Sequence, residues 1–285
     1  MSQRRLLGRA ISYLFLIVSS FIMLCPVLYV VLGAFTTEAR FFDATLLPIP
    51  NTFNLRAVAR AWAAVQDAYL VTLLRVGFYV ILTLFVGLIG GYVFSKLRFP
   101  GRHQLFLLLL SGLVMPATLL LLPMYIQVAR FPLAGGNDLW GQGGHGLIGA
   151  WPVLFVYGWV PPFAIFLLKQ SFDMLPRDYE EAARLEGAGL FTLLFRVYVP
   201  LLKPALAALI VVTFLSVWND YLWPSLTIAG NRDWYPISYR LNGLVGSFSP
   251  GSFMRLLMAL WPPAAVYLVL QRYFVQGLVA SGIKG

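Results

Sequence analysis

Long apolar runs dominate the chain, separated by short segments that hold nearly all of the charge. A helix needs about 20 mostly apolar residues to cross roughly 30 Å of hydrocarbon. Six stretches meet that requirement: Ile11 to Gly33, Val76 to Ser95, Gln104 to Gln127, Leu147 to Leu168, Ala205 to Leu226 and Leu256 to Leu278. The pattern predicts an all-α polytopic membrane helix bundle with six transmembrane helices. Arg4, Arg5 and Arg9 precede a first run longer than the roughly 7–15 apolar residues of a signal peptide, so it reads as a retained span. Residues 1–70 then hold the N-terminal tail, first span and an outer loop, and residues 71–285 a transmembrane domain with a long polar loop at about 172–202.

Between the spans, Thr36 to about Gln66 and about Ala229 to Met254 are polar enough to be ordered loops, and the glycine-rich stretch Arg130 to Gly146 reads as a flexible one. Prolines punctuate the spans at Pro26, Pro116, Pro123, Pro152, Pro161, Pro162, Pro262 and Pro263. Each removes a backbone donor and bends its helix. The pairs Pro161-Pro162 and Pro262-Pro263 are candidates for full breaks beside a pathway, where freed carbonyls find partners in the bundle or a wet cavity.

Composition agrees with this pattern. Hydrophobic residues make up 60% and charged residues 11%, with a mean hydropathy of +0.79, against about 25% charged in a soluble domain. A net charge of +10 would suggest nucleic acid in a soluble protein. Here the basic residues flank apolar runs, where they set topology and meet anionic headgroups. Thirteen of the 21 lie on one predicted side and eight on the other. The excess places both termini in the cytoplasm. Arg75 is expected at the outer end of the second span, because an arginine at mid-bilayer costs at least about 2.5–3.5 kcal/mol. The single cysteine, Cys25, reads as a small packed apolar residue.

Lys169 to Lys203, between the fourth and fifth spans on the basic side, is the most informative segment. Its middle is Pro176-Arg177-Asp178-Tyr179-Glu180-Glu181-Ala182-Ala183-Arg184-Leu185-Glu186-Gly187-Ala188-Gly189. Pro176 suits a first helical position. Asp178, Glu180 and Glu181 complement the helix dipole, and Glu180 and Arg184 are spaced to pair. Gly187 and Gly189 can turn the chain into a second apolar helix, Leu190 to Val199, ending at Pro200. Such a unit lies on the membrane surface or docks in a partner's groove, and periodicity alone does not choose.

Glu181-Ala182-Ala183, then Gly187 after three residues, then Val197-Tyr198-Val199-Pro200 after nine, resembles the cytoplasmic signature of bacterial ABC importer permeases. Valine replaces the usual isoleucine and leucine. Trp218-Asn219-Asp220-Tyr221-Leu222-Trp223-Pro224 and the ending from Gln271 to Leu278 resemble the carbohydrate-uptake, maltose-permease-like branch, and in it the smaller subunit. The resemblance implies a coupling helix, with Glu180, Glu181, Ala182, Ala183, Arg184, Gly187 and Pro200 engaging a separate ATPase that binds ATP and Mg; this chain itself binds no cofactor. It further implies a second permease subunit, two ATPase subunits, an extracytoplasmic solute-binding protein and a carbohydrate substrate, in a bacterial inner membrane. Trp218, Asn219 and Asp220 are then expected at the translocation pathway or subunit interface. Asn231, Asp233, Asn242 and Ser247 are expected on the loop that meets the binding protein.

Other motifs carry less. Gly141-Gln142-Gly143-Gly144-His145-Gly146 fits a dinucleotide fingerprint by letter, but lies between spans rather than in a βαβ unit. There is no P-loop or common hydrolase signature, and His103 and His145 fall on opposite predicted sides, which argues against a metal site built from them. A stand-alone ion-coupled transporter should show inverted repeats and charges within its spans; Asp220 is the main acidic candidate. Trp151, Tyr157, Trp159, Trp218, Trp223 and Trp261 can stack on a sugar, but an interfacial aromatic belt is the simpler expectation.

Overall fold

A computed structural model describes residues 3–44, 46–50, 55–156, 162–228, 230–244 and 246–282. All regular structure in them is helical: α1 (Gln3–Phe35), α2 (Glu38–Asp43), α3 (Leu55–Lys96), α4 (Arg102–Val114), α5 (Ala117–Ala129), α6 (Val153–Val156), α7 (Pro162–Asp173), α8 (Asp178–Leu185), α9 (Leu190–Thr192), a π-helical turn (Leu193–Tyr198), α10 (Val199–Leu201), α11 (Lys203–Asn219), α12 (Leu222–Thr227), a 3₁₀ turn (Arg232–Trp234), α13 (Ile237–Asn242) and α14 (Pro250–Gly282). Among the described residues four helices are long and apolar enough to span a membrane, or five if the bent pair α4–α5 counts as one.

The spans differ from the expected stretches where proline or polar sequence intervenes. The third is broken by 101° where Met115 turns extended before Pro116, because a residue preceding proline is driven out of the α region. The fourth appears as α6 and α7, with Tyr157, Trp159 and Pro161 outside the described residues. The fifth breaks at Asp220, which is extended between α11 and α12. The pair Pro262-Pro263, by contrast, does not break its span: α14 is helical through it.

The expected loop from Thr36 to Gln66 is also partly helical. It holds α2, and α3 begins at Leu55. Ala61, Val65, Ala68 and Thr72 are all buried, a spacing of four, three and four that marks one helical face, and the surrounding alanines favour helix. The helix α3 is therefore 42 residues long, about 63 Å, or roughly twice the hydrocarbon thickness. Lys96 closes it. Arg75 lies 21 positions earlier, about 31 Å away along the helix.

Two compact units divide the chain: Met1–Gln66 with Leu241–Pro262, and Asp67–Arg240 with Pro263–Gly285. The core of the first is Ala34, Phe41, Ala61, Phe253 and Met254, with the rings of Phe41 and Phe253 edge to face at 5.4 Å. Most of α1 lies outside it, and Cys25, expected to be packed, is exposed on that helix.

In the second unit the end of α3 packs on α7 at very short range. A Cβ on Gly91 would come within 2.9 Å of Leu168 Cβ and 3.0 Å of backbone atoms, and one on Gly87 within 3.2 Å of Ala164. These two glycines, four apart, are the small-residue seam that lets membrane helices approach closely. Leu88, Tyr92, Leu168, Phe172, Leu193, Tyr198 and Leu209 close one core around this seam. Val71, Val128, Val153, Leu154, Trp223 and Ile228 form a second.

Candidate functional site

The polar helix α8 is built by local chemistry. Its first turn carries Asp178, Glu180 and Glu181, where negative charge meets the exposed N–H groups of the helix start. Pro176 stands two residues before the helix rather than at its first position. Arg177 supplies the carbonyl that the amides of Glu180 and Glu181 reach at 2.9 and 3.1 Å. At the other end Gly187 has φ +82°. Its amide donates to the Arg184 carbonyl at 3.0 Å, and that of Ala188 to the Ala183 carbonyl at 3.0 Å. This is the paired closure of a Schellman motif, which needs a left-handed residue where Gly187 stands.

Glu180 anchors α8 to its neighbours. Oε1 accepts hydrogen bonds from Tyr92 Oη at 3.0 Å, from Arg184 Nε at 3.0 Å and from Arg184 Nη2 at 2.8 Å. Oε2 accepts one from Tyr198 Oη at 2.9 Å. Tyr92 comes from the end of α3 and Tyr198 from the π-helical turn, so a single carboxylate ties three elements together. The π turn bonds the amide of Val199 to the carbonyl of Leu194, five residues back; a π turn holds one more residue than an α turn. Burial opposes ionisation of Glu180, but the bonds from Arg184, Tyr198 and Tyr92 outweigh it and hold the carboxyl below its ordinary range. Burial and then Glu180 raise the Tyr198 hydroxyl far above the usual tyrosine value, so it stays a donor.

A pH dependence follows. A carboxylate whose folded pKa is depressed stabilises the fold fully above its unfolded value, and that contribution is lost as pH falls through the folded value. The melting-temperature gap between the wild type and Glu180→Gln should be constant near neutrality. It should shrink as pH drops below the ordinary glutamate value of about 4.3. A gap that widens in acid would contradict the bonding described.

Further bonds brace the same end. Asp173, at the last turn of α7, accepts from Ser95 Oγ at 2.6 Å and pairs with Lys169. Lys96 Nζ donates to the Leu175 carbonyl at 2.8 Å and lies 5.9 Å from the centre of the Tyr198 ring. The expected coupling residues therefore divide. Glu180 and Arg184 bond to the core, and Ala183 packs against it. Glu181, Ala182 and Gly187 face outward with Tyr179 and with Leu185, which is 90% exposed. Pro200 is exposed in α10. The sequence pattern does not point to Tyr92 or Tyr198. Tyr198 occupies the unspecified position of the Val-Tyr-Val-Pro ending, and nothing local marks Tyr92.

Arg75 organises the other end of α3. It is 1% exposed and paired with Asp220, whose side chain is 22% exposed. Its Nε donates to the Leu154 carbonyl at 3.2 Å, and its Nη1 reaches the Asp220 carbonyl at 3.5 Å. Asp220 Oδ1 also accepts the Trp223 amide at 3.2 Å, capping α12. Trp218 is buried, stacked on Phe214 at 5.4 Å and edge-on to Tyr69 at 5.8 Å. Trp223 is buried too, with Nε1 donating to the Val153 carbonyl at 3.1 Å. These two indoles are core residues rather than members of a belt, since each finds apolar or hydrogen-bonding partners inside the bundle. Asn219 is exposed and bonds back to the Leu215 carbonyl at 2.9 Å.

The predicted loop residues fall in both units. Asn231 donates to the Gly149 carbonyl at 3.0 Å, and Asp233 is exposed in the 3₁₀ turn. Asn242 ends α13, and Ser247 bonds Ser252 at 3.1 Å; Ala229 lies outside the described residues. The glycine-rich loop from Arg130 to Gly146, expected to be flexible, is closely bonded. Asn137 is buried, donates to the Ala129 and Phe131 carbonyls at 3.0 Å each and accepts the Gly144 amide at 2.9 Å. A Cβ on Gly141 would stand 2.1 Å from the Arg130 carbonyl oxygen. Its glycines permit close packing of backbone on backbone. Among the described residues no His, Cys, Asp and Glu group is arranged to hold a metal.

Residues 83–279 match the family model of the binding-protein-dependent transport system inner membrane component. The osmoprotective compounds uptake permease protein GgtD of Synechocystis sp. is 34% identical over 68% of this chain and 62% of its own length. The diacetylchitobiose uptake system permease protein NgcG of Streptomyces coelicolor is 28% identical over 96% of this chain and 88% of its own. A solved chain from a bacterial ABC transporter involved in the import of the acidic polysaccharide alginate has the same fold. Its TM-score is 0.77 at 22% identity, covering 96% of this chain and 99% of that one.

Proposed function

The chain belongs to the family of binding-protein-dependent transport system inner membrane components, and from that premise we propose that it lines the pathway of a carbohydrate importer and takes its drive from a separate ATPase docked on α8. A relative named for the uptake of diacetylchitobiose supports carbohydrate as the cargo. One observation carries the coupling role. Inward, α8 is fastened through Glu180 to the end of α3 and to the π-helical turn, while its outward face presents Tyr179, Ala182 and Leu185. A rigidly backed helix with exposed apolar side chains suits a partner's groove better than a lipid surface, because motion of the partner is then passed on rather than absorbed. On this reading both termini and α8 are cytoplasmic, and the partners are two ATPases that hold ATP and Mg, a second permease and an extracytoplasmic binding protein. Residues 71–285 are the translocating domain.

Affinity purification of the tagged chain from its native membrane tests the proposal. A P-loop ATPase and a second permease should come down in gentle detergent. Recovery of the chain without an ATPase would remove the proposal and favour a transporter that works alone.

A further inference from the structure

Two bonded clusters sit on one helix. Tyr92, near the Lys96 end of α3, donates to Glu180 on α8 at 3.0 Å. Arg75, seventeen residues earlier and so about 25 Å away, holds the chain at two further points. One is the short helix α6, through the Leu154 carbonyl; the other is the break between α11 and α12, through both the carbonyl and the carboxylate of Asp220. Between these points α3 has no proline and no break. The other long helices are less uniform: α1 contains Pro26, α4 and α5 meet at a sharp bend, α11 gives way to α12 at Asp220, and α14 contains Pro262 and Pro263.

We infer that α3 acts as a rod that carries displacement of α8 to the short helix α6 and to the break at residue 220, gripping α8 through Tyr92 and these two points through Arg75. The inference rests on the coupling role proposed for α8. Arg75 is almost wholly buried, and freeing it from Asp220 leaves a desolvated charge without its partner. Shifting α3 therefore drags α6 and the break at Asp220 along. The fork geometry matters as well, since a guanidinium reaches two acceptors at once in fixed directions and an ammonium does not. At the Lys96 end, Gly87 and Gly91 let α3 pack directly on α7, so a push on Tyr92 is expected to move α3 together with α7.

The test reads the Arg75 end while altering the Lys96 end. In the purified complex with its ATPase, with Cys25→Ser, the exposed Asn219 is replaced by cysteine as a reporter. Its rate of reaction with a membrane-impermeant maleimide is compared with and without ATP–vanadate. The wild-type background should show a clear ratio between the two rates. Tyr92→Phe removes one hydroxyl about 25 Å from the reporter and should bring that ratio close to one. Arg75→Lys, which keeps the charge but loses the fork, should do the same from the other end. The loss expected in each is on the order of tenfold in conformational bias. A local structural role for Tyr92 would leave the distant ratio alone, so a wild-type ratio in either variant overturns the rod. A ratio of one in the unmodified background would instead remove the coupling role of α8 itself.

Discussion

Gly187→Pro is expected to strip the ATPase from the complex while the chain remains in the membrane. Gly187 sits at φ +82°, and proline is locked near −65°. Proline also lacks the amide that reaches the Arg184 carbonyl at 3.0 Å. The closing turn of α8 would then be lost, at a cost of about 3 kcal/mol or more, and Leu185, Glu186 and the approach to α9 would be redirected. Crowding is not the cause, because a Cβ on Gly187 meets nothing within 4 Å. The series is therefore ordered by backbone preference: asparagine, which tolerates the left-handed region, close to wild type; alanine weaker by roughly 1–2 kcal/mol; proline worst. Membrane fractions and ATPase recovery in a pull-down, read side by side across the series, check this. A proline variant that still brings down the ATPase would mean that α8 is not the docking element.

The segment from Pro176 to Gly189 is the part most visible in the sequence, because its constraints are local. A glycine at a helix end, acidic residues in a first turn and a Glu-Arg spacing of four each announce themselves within a few residues. What the sequence does not divide is the work of the two adjacent glutamates. Glu180 bonds inward and Glu181 faces out, and the difference depends on Tyr92 and Tyr198, which arrive from 88 and 18 positions away. The start of α3 shows a different failure. Hydropathy alone treats Leu55 to Gln66 as loop, while the buried series Ala61, Val65, Ala68 and Thr72 carries the helical period in small or polar residues. Gly87 and Gly91 were legible in principle as a small-residue seam, but only the facing Ala164 and Leu168 show that it is used. The aromatic residues misled because Trp218 and Trp223 look interfacial by type, whereas Phe214, Tyr69 and the Val153 carbonyl receive them inside.

Asp220→Leu should be among the most destabilising single changes in the chain, and more so than its position at a helix break suggests. It leaves Arg75, 1% exposed, with only backbone carbonyls. Breaking a buried pair from one side costs about 3–5 kcal/mol, chiefly because a charge is stranded. Its second effect is the loss of the cap on the Trp223 amide at 3.2 Å, worth about 1 kcal/mol. Arg75→Met costs less, since the Asp220 side chain is partly open to solvent at 22% exposure. The double replacement Arg75→Met with Asp220→Leu should recover much of the loss, because a buried pair exchanged for apolar residues of similar size is often close to neutral. Thermal unfolding of the four proteins in one detergent gives the cycle. Recovery in the double variant identifies the stranded guanidinium as the cause of the Asp220→Leu defect. If instead the two losses simply add, the cap and the packing at the break account for the defect and the ion pair contributes little. The partial exposure of Asp220 decides the asymmetry, since its carboxylate can turn to solvent while the guanidinium of Arg75 has no such escape.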